Sequence, residues 1–126
     1  MKALRILPIV CLLLAACKSV PELYMTESAI VVEQAALTDY WVQKETEVSF
    51  SSRTLKPPKE DGFVAIKYLI DSNGAIFNPQ IMESVPKGAW DKVALRALNA
   101  MEFVPAKDNT ARTPVYVTME FNFGAS

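Results

Sequence analysis

Residues 115–123 read Val-Tyr-Val-Thr-Met-Glu-Phe-Asn-Phe, and this alternation constrains the fold more than any other stretch. Val115, Val117, Met119, Phe121 and Phe123 fall on one side of an extended backbone, because side chains point to opposite faces with a period of two. Tyr116, Thr118, Glu120 and Asn122 fall on the other. Such a strand must bury one face and leave the other wet. It therefore needs neighbouring strands and a covering layer.

The preceding sequence supplies both. Residues 62–71 carry Phe63, Val64, Ile66, Tyr68, Leu69 and Ile70, which predicts a strand. Asn73-Gly74 follows at once and suits a tight hairpin turn, since both residues tolerate positive φ. Residues 75–84 return as the second strand. Pro79 lacks an N–H, which predicts a bulge or a sheet edge at that point. Over residues 90–101 the period changes. Trp90, Val93, Ala94, Ala97, Leu98 and Met101 share one helical face, while Asp91, Lys92, Arg96 and Asn99 cover the other. Pro105 stops the helix from running on, and residues 107–113 form a polar loop.

The first half is less regular. Thr26 as a cap, Glu27 and Glu33 near the start, and Ile30, Val31, Ala35 and Leu37 predict a helix over residues 26–38, against the β-branched Ile30-Val31-Val32 run. Tyr40, Val42, Lys44, Thr46, Val48 and Phe50 alternate with Trp41, Gln43, Glu45, Glu47 and Ser49, a strand best defined over residues 45–52. Residues 56–61 are a polar breaker with Pro57 and Pro58. The expected fold class is α+β: a small antiparallel sheet with helices packed on one face.

The chain has no histidine, which removes the commonest metal ligand and general base. Four glycines offer no phosphate-binding loop. Asp71, Asp91 and Glu120 could in principle supply an acid pair, but each has a structural reading: a hairpin turn, a helix N-terminus and a solvent face. Trp90, Phe103, Phe121 and Phe123 are read as core, by their spacing, ahead of a binding patch. Lys56, Lys59, Lys87 and Arg112 are read as solvated surface charges. No enzyme activity, metal or cofactor is expected, and no nucleic-acid partner, since no basic face is clustered.

The N-terminus carries a different message. Lys2 and Arg5 precede a nearly unbroken apolar run over residues 6–14, followed by Leu14-Ala15-Ala16-Cys17. A charged start, a short apolar core and small residues before a cut site predict a secretory signal. The run is about half the roughly 20 residues that a spanning helix needs. Leu14-Ala15-Ala16-Cys17 resembles the lipobox of bacterial lipoproteins. That resemblance implies cleavage after residue 16, lipidation of Cys17 and a membrane anchor at the mature N-terminus. The expected organisation is a signal peptide over residues 1–16, an acylated tether over 17–25 and one domain over 26–126. Of 13 basic residues Lys2 and Arg5 leave with the signal, so 11 face 14 acidic ones and the mature net charge is −3. Cys11 leaves too, so no disulfide is expected.

Residues 62–123 resemble the C-terminal domain of the TonB family of envelope proteins. Gly62-Phe63-Val64, Tyr68-Leu69-Ile70-Asp71 and Asn73-Gly74 match its opening hairpin. Ser84 and Pro86 match its serine–proline turn, and Trp90-Asp91, Ala94-Leu95 and Ala97-Leu98 its helix. Phe103-Val104-Pro105-Ala106 resembles its exit, and Pro114-Val115 with Phe121-Asn122-Phe123 its last strand. Val93 and Met101 depart from the usual helix residues, Arg112 stands where Gly is usual, and the Tyr-Pro lead-in is missing. The resemblance implies a non-enzymatic module whose last strand takes a partner peptide as an added strand, with Tyr116, Thr118, Glu120 and Asn122 flanking it. An equal alternative is that an extra N-terminal strand, or a second copy, covers that edge.

Family members are similar to a three-part machine with a spanning helix, a Pro-rich spacer and this domain. Only Pro21, Pro57 and Pro58 lie between the lipobox and the hairpin, too few for a stiff spacer. The lipid anchor is expected to replace helix and spacer. Lys18 follows Cys17 where inner-membrane lipoproteins often carry Asp, which implies the outer membrane. Three functions stay open: a lipoprotein that binds a periplasmic peptide or outer-membrane protein, an accessory of the TonB-type energy-coupling system, and a structural envelope lipoprotein.

Overall fold

The computed structural model describes residues 22–44 and 58–124. The signal peptide expected over residues 1–16, Cys17, the strand expected over residues 45–52 and the Lys56-Pro57 part of the breaker lie outside the described residues. No helix among the described residues is long and apolar enough to cross a membrane.

Six strands and one α-helix occur in the described residues. They are β1 (Ile30–Val32), β2 (Trp41–Gln43), β3 (Gly62–Ile70), β4 (Ile76–Val85), α1 (Asp91–Asn99), β5 (Phe103–Pro105) and β6 (Val115–Phe123). A 3-10 helix, Gln34–Asp39, links β1 to β2. The main sheet has the order β1-β6-β3-β4. β3 pairs antiparallel with β4 and with β6, while β1 lies parallel to β6. The sheet is thus mixed, and the purely antiparallel expectation is corrected. β2 and β5 form a separate two-stranded antiparallel ribbon.

The hairpin forms where the sequence places it. Gly74 N–H donates to the Asp71 carbonyl, and Asp71 Oδ1 accepts from the N–H groups of Asn73 and Ala75. Asp at the first turn position and Gly at the fourth are what such a turn favours. Gly74 has φ +84°, and a Cβ there would collide with the Phe103 carbonyl, so this position requires glycine. Pro79 falls on β4, an edge strand, at a break in register between Lys67 and Leu69 of β3. The expectation from its missing N–H holds.

The core lies on one side of the sheet. Val64, Ile66, Tyr68 and Ile70 of β3 and Val115 and Val117 of β6 point into it, and α1 adds Ala94 and Leu98. Trp90 stacks on Phe123 with ring centroids 4.8 Å apart and an angle of 3°, and its Nε1–H donates to the Glu60 carbonyl at 3.0 Å. Trp90 and Phe103 are therefore core residues, with Phe121 and Phe123 packed against them half-buried.

One expectation in the first half fails, and one local pattern is reversed, because tertiary partners override it. The helix over residues 26–38 is replaced by β1 and the 3-10 helix, because Ile30-Val31-Val32 is β-branched and finds an open sheet edge at Val115–Val117. The alternation that starts at residue 40 has the opposite polarity: Trp41 is 1% exposed and Val42 is 43% exposed. Trp41 outcompetes Val42 for the interior because its ring buries more surface and its Nε1–H reaches the Thr113 carbonyl at 2.8 Å. One α-helix and one 3-10 helix thus stand where two α-helices were expected.

Tyr68 is fully buried in this core, and its hydroxyl meets only Met119 Sδ at 3.8 Å among the described hydrogen bonds. Burial pushes its phenol well above the ordinary value of 10. The folded state therefore holds Tyr68 neutral while the unfolded chain ionises it above about pH 10, so stability is intact below that pH and falls as pH rises past it. Tyr68→Phe removes the ionisable group and should flatten part of this alkaline loss. Denaturant midpoints of both proteins from neutral pH to about pH 11 check this; parallel curves would contradict it.

Candidate functional site: the outer edge of the last strand

The four candidate residues share one face. Tyr116, Thr118, Glu120 and Asn122 lie opposite Leu69, Lys67, Ala65 and Phe63 of β3, on the side of the sheet away from α1. Thr118, Glu120 and Asn122 are exposed, and Tyr116 is half-buried. Lys67 Nζ sits 5.5 Å from the centre of the Tyr116 ring, a cation–π contact that helps to cover it. Lys67, Tyr116, Asn78, Pro79 and Gln80 line a shallow polar hollow of about 450 Å³ beside them.

β6 is flanked on both sides, but unevenly. β3 pairs with its whole length, from Val115 to Phe123. β1 pairs only with Val115, Tyr116 and Val117. Beyond Val117 no strand among the described residues lies along that edge. There the Glu120 N–H points away from β3 and donates to Gln34 Oε1 at 3.1 Å. A side-chain amide thus stands where a strand carbonyl would. Both main-chain groups of a residue in an antiparallel strand point the same way and alternate along it, so Thr118, Glu120 and Asn122 aim their main-chain polar groups at this edge. The covering strand considered at the sequence level exists, but residues 30–32 form it and it spans only the first third of β6.

Sequence reasoning missed Gln34 and β1. The Ile30-Val31-Val32 run carried the signal for β1; nothing local marks Gln34, whose bond spans 86 positions. The three acidic residues do not meet. Asp71 closes the hairpin turn and also accepts the Tyr24 N–H on Oδ2. Asp91 opens α1 and accepts from Ser84 Oγ, which in turn accepts the Gly88 N–H. Ser84 pairs with Val64, so Asp91 and Asp71 lie near opposite ends of β3, on the order of 20 Å apart. Among the described residues no group of three or more metal-ligating side chains occurs. Lys59, Lys87 and Arg112 are exposed. Arg112 has φ +52°, a left-handed conformation that favours glycine.

This geometry offers main-chain hydrogen bonds to an extended segment. The fold is similar to that in the solution NMR structure of the Pseudomonas aeruginosa TonB C-terminal domain, with a TM-score of 0.51 and 21% identity over 68% of this chain and 87% of that one. No curated protein matches the chain. The family described as the Gram-negative bacterial TonB protein C-terminal matches residues 53–124, more than half of the sequence, and it takes in both the hairpin and the edge strand. The chain belongs to the TonB C-terminal family.

Proposed function

We propose that this protein is a non-enzymatic envelope lipoprotein, anchored through Cys17, whose β6 edge takes an extended segment of a periplasmic or outer-membrane protein as an added strand. Domains of this family are protein-interaction modules of the bacterial cell envelope, not enzymes. One observation carries the finer reading: beyond Val117 the β6 edge is met by a single side-chain amide among the described hydrogen bonds, Gln34 on Glu120. An incoming strand replaces that amide with a carbonyl and continues the line of β1. Its main chain supplies affinity, while Thr118, Glu120 and Asn122 flank its side chains. Outer-membrane placement rests on Lys18 after the lipobox.

The test separates main chain from side chain at one position. A photo-crosslinker at Asn122 should capture a partner in intact cells. Glu120→Pro deletes the outward N–H without touching a β3–β6 bond and should weaken capture about 3- to 10-fold, the worth of one hydrogen bond. Glu120→Ala keeps the N–H and should leave capture nearly unchanged. Full capture by a cooperatively melting Glu120→Pro protein would rule out strand addition here. Capture should also survive an uncoupler; its loss on collapse of the proton gradient would favour the energy-coupling accessory instead.

A further inference from the structure

Residues 22–27 form a strap across the hairpin-turn end of the sheet, and its main chain is firmly held. Tyr24 N–H donates to Asp71 Oδ2 at 3.0 Å, and the Ser72 N–H donates to the Tyr24 carbonyl at 2.8 Å. Thr26 N–H donates to Ser72 Oγ at 2.9 Å, and Thr26 Oγ1 donates to the Ala111 carbonyl at 2.9 Å. This strap covers Asp71 and Ser72, which are fully buried. Its side chains do the reverse. Leu23 is 52% exposed, Tyr24 49% and Met25 36%, three consecutive large apolar groups each partly open to solvent. An ordered apolar triplet that the described residues leave partly uncovered marks a contact surface.

We propose that Leu23, Tyr24 and Met25 insert into the lipid surface that carries the Cys17 anchor and so fix the orientation of the domain. The proposal rests on the lipoprotein reading given above. Six residue steps lead from Cys17 to Leu23, which span at most about 22 Å even when fully extended. The lipid headgroup zone is therefore the surface these side chains meet most often. Their chemistry suits it: leucine and methionine are apolar, and tyrosine places its ring at the headgroup level with its hydroxyl in water. Glu22 and Glu27 bracket the triplet and stay in the headgroup water, so insertion is shallow.

This orientation has a consequence for the binding edge. Thr26 Oγ1 donates to the Ala111 carbonyl and Thr113 Oγ1 donates to Glu27 Oε1, so β6 starts beside the strap. From Val115 it runs away to Phe123, about 30 Å along the strand. The open part of its edge, past Val117, then faces the periplasm and not the membrane.

The test uses the full processed lipoprotein in vesicles of phosphatidylethanolamine and phosphatidylglycerol. A polarity-sensitive fluorophore is attached at Leu23→Cys or, as a control at the far end of the sheet, at Lys87→Cys. The Leu23 label should shift to the blue on reconstitution and be quenched several-fold more by brominated lipid than the Lys87 label. Adding Tyr24→Asp and Met25→Asp should abolish the shift, with the melting curve unchanged. Mass spectrometry of the same sample reads the state of Cys17. Acylated Cys17 with a water-exposed Leu23 label would overturn the docking alone; unmodified Cys17 would overturn the anchor and the docking together. A blue shift that follows protein density in the membrane, without quenching by brominated lipid, would mean that a second copy covers the strap, and would also overturn the proposal.

Discussion

Trp41→Ala is expected to cost about 3–5 kcal/mol, a large share of the roughly 5–15 kcal/mol that holds a domain of this size together. Trp41 is 1% exposed although it lies in a strand of three residues. Its ring stands behind the hairpin turn, where Cζ3 would lie 3.4 Å from a Cβ at Gly74. Its Nε1–H donates to the Thr113 carbonyl just before β6. One side chain therefore ties the β2–β5 ribbon to the turn and to the start of the last strand. Trp41→Phe keeps much of the ring but removes the donor, and should cost a smaller amount, about 1–3 kcal/mol. Denaturant melts with an unchanged slope would check both values. A loss below about 1 kcal/mol for Trp41→Ala would mean that the ribbon does not contribute to the cooperative unit.

Leu98→Ala should follow closely, at about 2–5 kcal/mol. Leu98 is fully buried where α1 crosses the sheet, beside Ala94 of the same helix face. α1 has only nine residues, and a helix that short is marginal in water without packing. Removing its main apolar contact therefore threatens the helix as well as the core. The thermal midpoint should fall by more than about 10 °C. Lys92→Ala, on the exposed face of α1, should change stability by less than about 0.5 kcal/mol. Equal losses at the two positions would mean that α1 presents a different face to the sheet.

These two sites differ in how far the sequence discloses them. Leu98 belongs to a stripe that a 3.6-residue period reveals. Trp41 falls on the polar side of an alternating segment, and only its tertiary neighbours make it core. The same contrast separates the parts of the binding edge. Period two alone puts Tyr116, Thr118, Glu120 and Asn122 on one face, and β6 presents them there. Gln34 and β1, which decide how much of that edge is free, come from residues more than 80 positions away.

The sequence by itself determined the elements whose stability is written locally: the β3–β4 hairpin, α1 and β6. Each of these strands and the helix is nine or ten residues long, with a period or a turn signal that its own side chains enforce. Tertiary structure decided the rest. β1, β2 and β5 have three residues each, too few for a period to register, and exist because a partner strand completes their hydrogen bonds. The parallel pairing of β1 with β6 made the sheet mixed. The strap's exposed Leu23, Tyr24 and Met25 are equally silent in the sequence. Their main chain is fixed by Asp71 and Ser72 across the fold, and this long-range anchoring holds apolar side chains in solvent where local preference would not.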